Sequence, residues 1–384
     1  MDQIAWDLGD PAGAPKEFNQ PCSLGAIQLS CKNWHPMKGP MTTQTLVGTI
    51  GTRPLHWRGD RENLAAFGGA FMSLMGSDHE LPPDEMDEFE AFLATIAHPP
   101  NPHRRADNSL LDEMIIRNRL ASPSAGLRVF RETPSDRDLL KCIDCHGSDT
   151  GALSFVVGGQ ILAAPQQAVV SPLGSTYEKA GFDLNSRNNS RGFGFTHDGA
   201  FDTIENFLKH EVFTLPTDQH RLDLEAFVLS FSTETHAAVG MQVTLPATAA
   251  IAGARKFNPV KTTSALDANE NRLSLLRRLA DEKAIGLVAH GRIDGAPRGY
   301  AYLAGQEVFQ SDRADETITF DALTELATFG NPLTFTAVPV GTEIRIGIDR
   351  DNDGLYDADD AEPANPNPLE NQINALSRIR TQHP

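Results

Sequence analysis

Residues 141–151, KCIDCHGSDTG, place Cys142 and Cys145 three positions apart, with His146 directly after the second. A Cys-x-x-Cys-His run is the attachment signature of a c-type haem. The two thiols add to the porphyrin vinyl groups, and the adjacent imidazole sits beneath the iron as proximal ligand. A thioredoxin-type dithiol would need a strand before and a helix after the motif, and a zinc site would need a second Cys or His pair at ligand spacing. Neither context is read here. The other two cysteines, Cys22 and Cys31, lie nine positions apart in a Pro- and Gly-punctuated loop. They are expected to close a small disulfide in an oxidising compartment.

The second axial ligand sets the chemistry of such a haem. Methionine raises the potential and suits electron transfer, whereas an open position suits activation of a substrate. No methionine occurs between Met114 and Met241. Histidine is therefore the expected ligand type, with His210 first and His197 second, and a distant residue such as Met241 or an open position as alternatives.

A second constellation lies near the end. Asp349, Asp351, Asp353, Asp357 and Asp360 occupy positions 1, 3, 5, 9 and 12 of a loop with Gly354 at position 6 and the Leu355 carbonyl at position 7. That is the oxygen spacing of a calcium loop, and a structural calcium is expected there. Residues 349–362 hold seven Asp/Glu against one Arg, a third of the chain's net charge of −18. That charge argues against nucleic-acid or anionic-membrane partners, which need a basic face. No apolar run reaches the ~20 residues of a spanning helix.

Four segments are expected to position these residues. Residues 1–120 are a loop-rich and helical region, with helices over 61–76 and 83–97. Residues 121–240 hold the haem motif between a short helix at 124–133, a tight turn at Asp198-Gly199, a helix capped by Asp202 with Glu205, and a helix over 220–232. Residues 241–348 read as a β-rich α+β domain with strands in MQVTLPA, AIGLVAHG, RGYAYLAG, ETITF, LTFTAVPV and EIRIGI. Helices over 270–282 and 320–329 interrupt them, and residues 349–384 form the acidic loop and tail. The fold class expected is mainly α cytochrome c-type domains with long loops, followed by that β-rich domain.

Three segments carry a resemblance. Phe195-Thr-His197-Asp198-Gly199 with Thr203-Ile-Glu205, Leu55-His-Trp57-Arg58-Gly59-Asp60-Arg61, and Thr42-Thr-Gln-Thr-Leu46 resemble, in order, segments of the bacterial di-haem cytochrome c peroxidases and related di-haem maturation enzymes. The resemblance covers about residues 40–235. It implies that Cys142, Cys145 and His146 hold the second, electron-accepting haem, that Trp57 lies on the electron path, and that His197 stands at the haem edge. It also implies an axial ligand from the helix after the His-Asp-Gly turn, where this chain offers His210.

The family's first haem needs its own Cys-x-x-Cys-His before the Trp segment. Here that motif is expected upstream of Met1, in a longer parent protein that also carries the export signal missing from the polar MDQIAWDLGD. Three functions follow. The first is an exported c-type cytochrome, periplasmic or extracellular, exchanging electrons with a redox protein donor or acceptor. The second is a peroxidase-like oxidoreductase acting on hydrogen peroxide. The third is a calcium-stabilised surface protein with a non-catalytic haem.

Overall fold

The chain divides into two units, one formed by residues 1–105 and 109–235 and the other by residues 106–108 and 236–384. The structure, a computed structural model, describes residues 5–7, 9–18, 23–24, 27–28, 31–52, 54–136, 138–147, 151, 156–159, 167–191, 193–245, 272–328 and 330–367.

The first unit is built from short elements. Strand β1 (Ala5–Trp6) pairs with β4 (Met41–Thr42), and β2 (Ser23–Leu24) pairs with β3 (Ile27–Gln28). A 3₁₀ turn, Leu64–Phe67, leads into α1 (Gly68–Met75), and α2 (Pro83–Ala94) follows. Pro83 starts α2 with its φ preset, Asp84 and Glu85 face the positive end of its dipole, and Met86 and Leu93 turn inward. A hairpin of β5 (Met114–Ile116) and β6 (Arg119–Ala121) then feeds α3 (Pro123–Glu132). Ser122 caps α3 by accepting the Ala125 amide at 3.3 Å.

Next come α4 (Cys142–His146), the strand pair β7 (Val156–Val157) and β8 (Ala168–Val169), α5 (Thr176–Lys179), α6 (Ile204–Leu208) and α7 (Asp218–Leu229). Helices α3 and α7 pack together, and Phe130, Leu224, Phe227 and Phe231 form the centre of this core. The cap of α6 differs from expectation. Thr203, not Asp202, accepts the helix amide, from Asn206 at 3.1 Å. Asp202 is buried beside it and accepts from Leu184 N, Thr203 N and Asn206 Nδ2.

The second unit holds β9 (Gln242–Leu245), α8 (Arg272–Asp281), β10 (Gly286–Ile293), β11 (Ala296–Leu303), β12 (Val308–Ser311), β13 (Thr317–Thr319), α9 (Phe320–Glu325), β14 (Leu333–Val338) and α10 (Glu343–Gly347). The strands make one antiparallel six-stranded sheet in the order β13-β12-β11-β10-β14-β9. Asp294 and Gly295, both at positive φ, turn β10 into β11 with Ile293 opposite Ala296. Leu276, Leu279 and Leu323 from the helices pack with Leu287, Phe309 and Phe335 of the sheet.

The expectation of mainly α cytochrome c-type domains is overturned. Of the described residues only 26% are helical and 19% are strand, and the largest assembly among them is the antiparallel sheet. Between His146 and Thr203 the described residues contain one helix of four residues, because Gly and Pro punctuate that stretch too densely for helix to propagate. EIRIGI is also not a strand. Ile346 is 44% exposed while Ile348 is fully buried, a separation that period-two alternation forbids and a helical turn permits.

Candidate functional site

On α4 the motif residues stand at i, i+3 and i+4, so Cys142, Cys145 and His146 share one helical face. The Lys141 amide donates to Asp144 Oδ2 at 2.9 Å and fixes the start of this turn. Its C-cap is Gly147 at φ +64. The shared face forms part of the wall of a cavity of about 1200 Å³, whose described lining residues all belong to the first unit. Ordinary small-ligand pockets hold ~300–1,000 Å³, so this one is large enough for a bulky group.

The His146 ring is oriented by the backbone. Its Nδ1 lies 2.9 Å from the Gly151 carbonyl, which only accepts, so Nδ1 carries the proton. Burial lowers the His146 pKa, while the carbonyls of Gly151 and Ser171 act in the opposite direction. Gly151 sits at φ +73, where an added Cβ would stand 2.6 Å from Leu173 Cβ. Only glycine can bring that carbonyl so close.

Both motif thiols are shifted upward in pKa. Burial, then the charges of Asp136 and Asp144, push Cys145 up to about 12. Burial raises Cys142 as well, against a contact with Ser135 Oγ at 3.4 Å. Dithiol redox motifs work through a lowered thiol pKa, the opposite direction to the shift here. Cys31 is disulfide-bonded, and Cys22, its expected partner, lies outside the described residues.

The three motif segments converge on the cavity. Trp57 donates its indole N–H to the Thr42 carbonyl at 2.7 Å, and the Thr42 amide donates to the His197 carbonyl at 2.8 Å. The Trp57 carbonyl in turn accepts the Val169 amide at 2.8 Å. Thr42, Trp57, Val169, His197 and His210 all line the cavity. His197 Nε2 stands 4.0 Å from Asp198 Oδ2. His210 follows α6, with Nδ1 accepting the Val212 amide at 3.4 Å and the ring edge-on to Phe201.

A further histidine on the cavity wall was not singled out by any spacing. His98 has a side chain only 5% exposed, and its Nδ1 lies 2.9 Å from Glu234 Oε2. A carboxylate oxygen accepts, so Nδ1 donates, and Nε2 is buried with no hydrogen-bond partner. Glu234 is held down at about 2, chiefly by the His98 hydrogen bond. Gly48, at φ +65, roofs the ring, and a Cβ there would approach His98 Cε1 to 2.5 Å. The partners are 136 residues apart, so nothing local in the sequence announces them. A histidine whose other nitrogen donates to a carboxylate is the usual arrangement of a metal ligand.

Haem suits these residues. Two thiols and an imidazole stand on one face of the cavity wall, apolar side chains supply much of the rest, and His98 holds an unpartnered buried nitrogen.

In the second unit, the carboxylates of Asp349, Asp351 and Asp353 bring ligand atoms within 4.8 Å of one another. Asp357 is not in this group. Its Oδ1 accepts the Arg350 amide at 3.0 Å, and its Oδ2 pairs with the Arg350 guanidinium at 3.1 Å. Asp360 Oδ1 accepts the Glu362 amide at 2.8 Å, and Leu355 donates its amide to Asp353 Oδ1 at 2.8 Å. Burial, then the charges of Asp353, Asp360 and Asp349, raise the Asp351 pKa.

No helix among the described residues is long and apolar enough to cross a membrane. Set against protein-family models, curated proteins and solved structures, the chain matches none.

Proposed function

We propose that this chain is a c-type haem protein that exchanges electrons with redox protein partners in an oxidising compartment, in the manner of the di-haem peroxidase-like class it resembles. The single observation that carries this reading is the common helical face of Cys142, Cys145 and His146 in the wall of an apolar cavity of about 1200 Å³. Cys142 and Cys145 are the thioether positions and His146 the proximal ligand. Bound there, haem supplies a one-electron iron couple whose potential is set by its axial ligands and burial.

The remaining residues have assigned tasks. The Gly151 carbonyl holds the His146 tautomer with its proton on Nδ1, which leaves Nε2 as the ligating nitrogen. Trp57, tied to Thr42, presents an aromatic ring at the cavity wall as the electron-path candidate. Beside His210 and His197, His98 would be a further candidate for the second ligand position. His210 Nδ1 accepts a backbone N–H, which puts the proton of the neutral ring on Nε2, and His197 Nε2 faces a carboxylate. His98 alone among these three has a carboxylate at Nδ1 and an unpartnered Nε2.

The test is export of the protein in a host that attaches c-type haem, followed by denaturation. Haem that stays with the chain, and is lost in Cys142→Ala with Cys145→Ala, supports the reading. Wild-type protein that retains no haem after denaturation overturns it. A low-spin ferric spectrum supports electron transfer, whereas a high-spin one favours peroxide chemistry instead.

A further inference from the structure

The acidic loop after α10 holds a feature that its sequence spacing does not convey. Asp349 is 3% exposed, and while its Oδ2 accepts the Gly354 amide at 3.1 Å, its Oδ1 is buried with no partner. Asp351 Oδ2 is likewise buried and unpartnered. Two carboxylate oxygens are thus withdrawn from water beside a third carboxylate, Asp353, with ligand atoms no more than 4.8 Å apart. Buried carboxylates persist only when paired or when they coordinate a metal. The nearest cation in sequence, Arg350, is engaged by Asp357.

We infer that Asp349, Asp351 and Asp353 bind one calcium ion, and that Asp357 serves as the partner of Arg350 instead of as a ligand. The donors are all hard oxygens, with no histidine or cysteine in the cluster, which selects calcium over zinc or copper. The site is narrower than the five-carboxylate loop that spacing implies, so water and backbone carbonyls complete the coordination shell.

The ion would do structural work. The loop is stitched to the turn between β12 and β13: the Ala358 amide donates to the Asp312 carbonyl at 2.9 Å, and the Ala314 amide to Asp359 Oδ2 at 2.8 Å. Asp312 is buried and accepts from Arg298 Nε at 2.7 Å and from the Gly299 amide at 3.0 Å. Neutralising the three carboxylates secures the loop against the sheet at that corner. None of this depends on haem.

The test is calorimetric titration of calcium into chelator-treated full-length protein, with the unfolding midpoint of the second unit followed in parallel. One binding site that saturates by about 1 mM calcium, and a midpoint that rises with occupancy, are expected. Asp351→Asn should weaken binding at least tenfold, and because Asp351 is only half-buried this variant remains testable if Asp349→Asn fails to fold. Asp357→Asn should keep the affinity within about threefold. Absence of binding in the wild type, or unchanged binding in Asp351→Asn, overturns the site. A loss in Asp357→Asn equal to that in Asp351→Asn overturns the ligand assignment.

Discussion

Trp57 donates its indole N–H to the carbonyl of Thr42 at 2.7 Å, although 15 residues separate them. Thr42 uses its own amide to hold the His197 carbonyl, so one residue of β4 joins the Trp segment to the His-Asp-Gly turn. Replacing Trp57 by Phe keeps an aromatic ring and removes the bond. The expected loss is about 1 kcal/mol, seen as a drop of ~2–4 °C in the unfolding midpoint of the first unit. An unchanged midpoint would show that the bond contributes nothing.

Gly151→Ala tests the orientation of His146. The positive φ and the 2.6 Å approach to Leu173 Cβ force the backbone to move, and the carbonyl that accepts from Nδ1 moves with it. Such strain costs about 1–3 kcal/mol. The variant should bind less haem per chain, and what it binds should show a larger high-spin fraction. A spectrum and yield equal to wild type would contradict this role.

His98→Ala removes one candidate for the second axial position. The ferric spectrum should turn from low-spin to high-spin, and added imidazole should restore it. His98→Met should raise the reduction potential, as exchange of His for Met does at haem iron. Should His210→Ala produce the conversion while His98→Ala does not, the ligand is His210. Glu234→Gln weakens the carboxylate contact at Nδ1, makes the imidazole a weaker donor and should raise the potential, whereas reduced haem retention at an unchanged potential would show that Glu234 only positions the ring.

Arg117 joins the β5–β6 hairpin to the helices. Its guanidinium makes two 2.6 Å bonds to Glu225, whose side chain is 6% exposed, and a further contact with Glu205 at 2.9 Å. Arg117→Ala leaves Glu225 buried and unpaired. Breaking a fully buried pair costs ~3–5 kcal/mol, and the partial exposure of Arg117 reduces the expectation to about 2–3 kcal/mol. Denaturant unfolding measures it, and Glu225→Gln in the same background should recover part of the loss.

Acid should weaken the first unit through Asp60. Burial alone would raise its pKa, but the His56 hydrogen bond at 2.7 Å and the charges of His56, Arg58 and Lys38 hold it far below the usual carboxylate range. The folded state therefore binds this proton more weakly than the unfolded chain. The stability it contributes is complete above the ordinary Asp value of ~4 and drains away as pH falls towards the folded-state value. Asp60→Asn should destabilise more at pH 6 than at pH 3, and an equal loss at both would refute the linkage.

The local patterns in this sequence were sufficient for features whose bonds close within a few residues. Cys142, Cys145 and His146 share a helical face because i, i+3 and i+4 always do. Asp294-Gly295 makes a hairpin because both positions tolerate positive φ. The alternation of β9 and β14 is readable for the same reason, while a five-residue segment such as α10 is too short for its period to be told apart. Tertiary structure alone decided that His98 meets Glu234, that Thr42 links Trp57 to His197, and that Asp357 pairs with Arg350 across a folded loop. Those choices depend on which side chains packing brings together and which donors are left after the nearer bonds are made. No spacing along the chain encodes that competition.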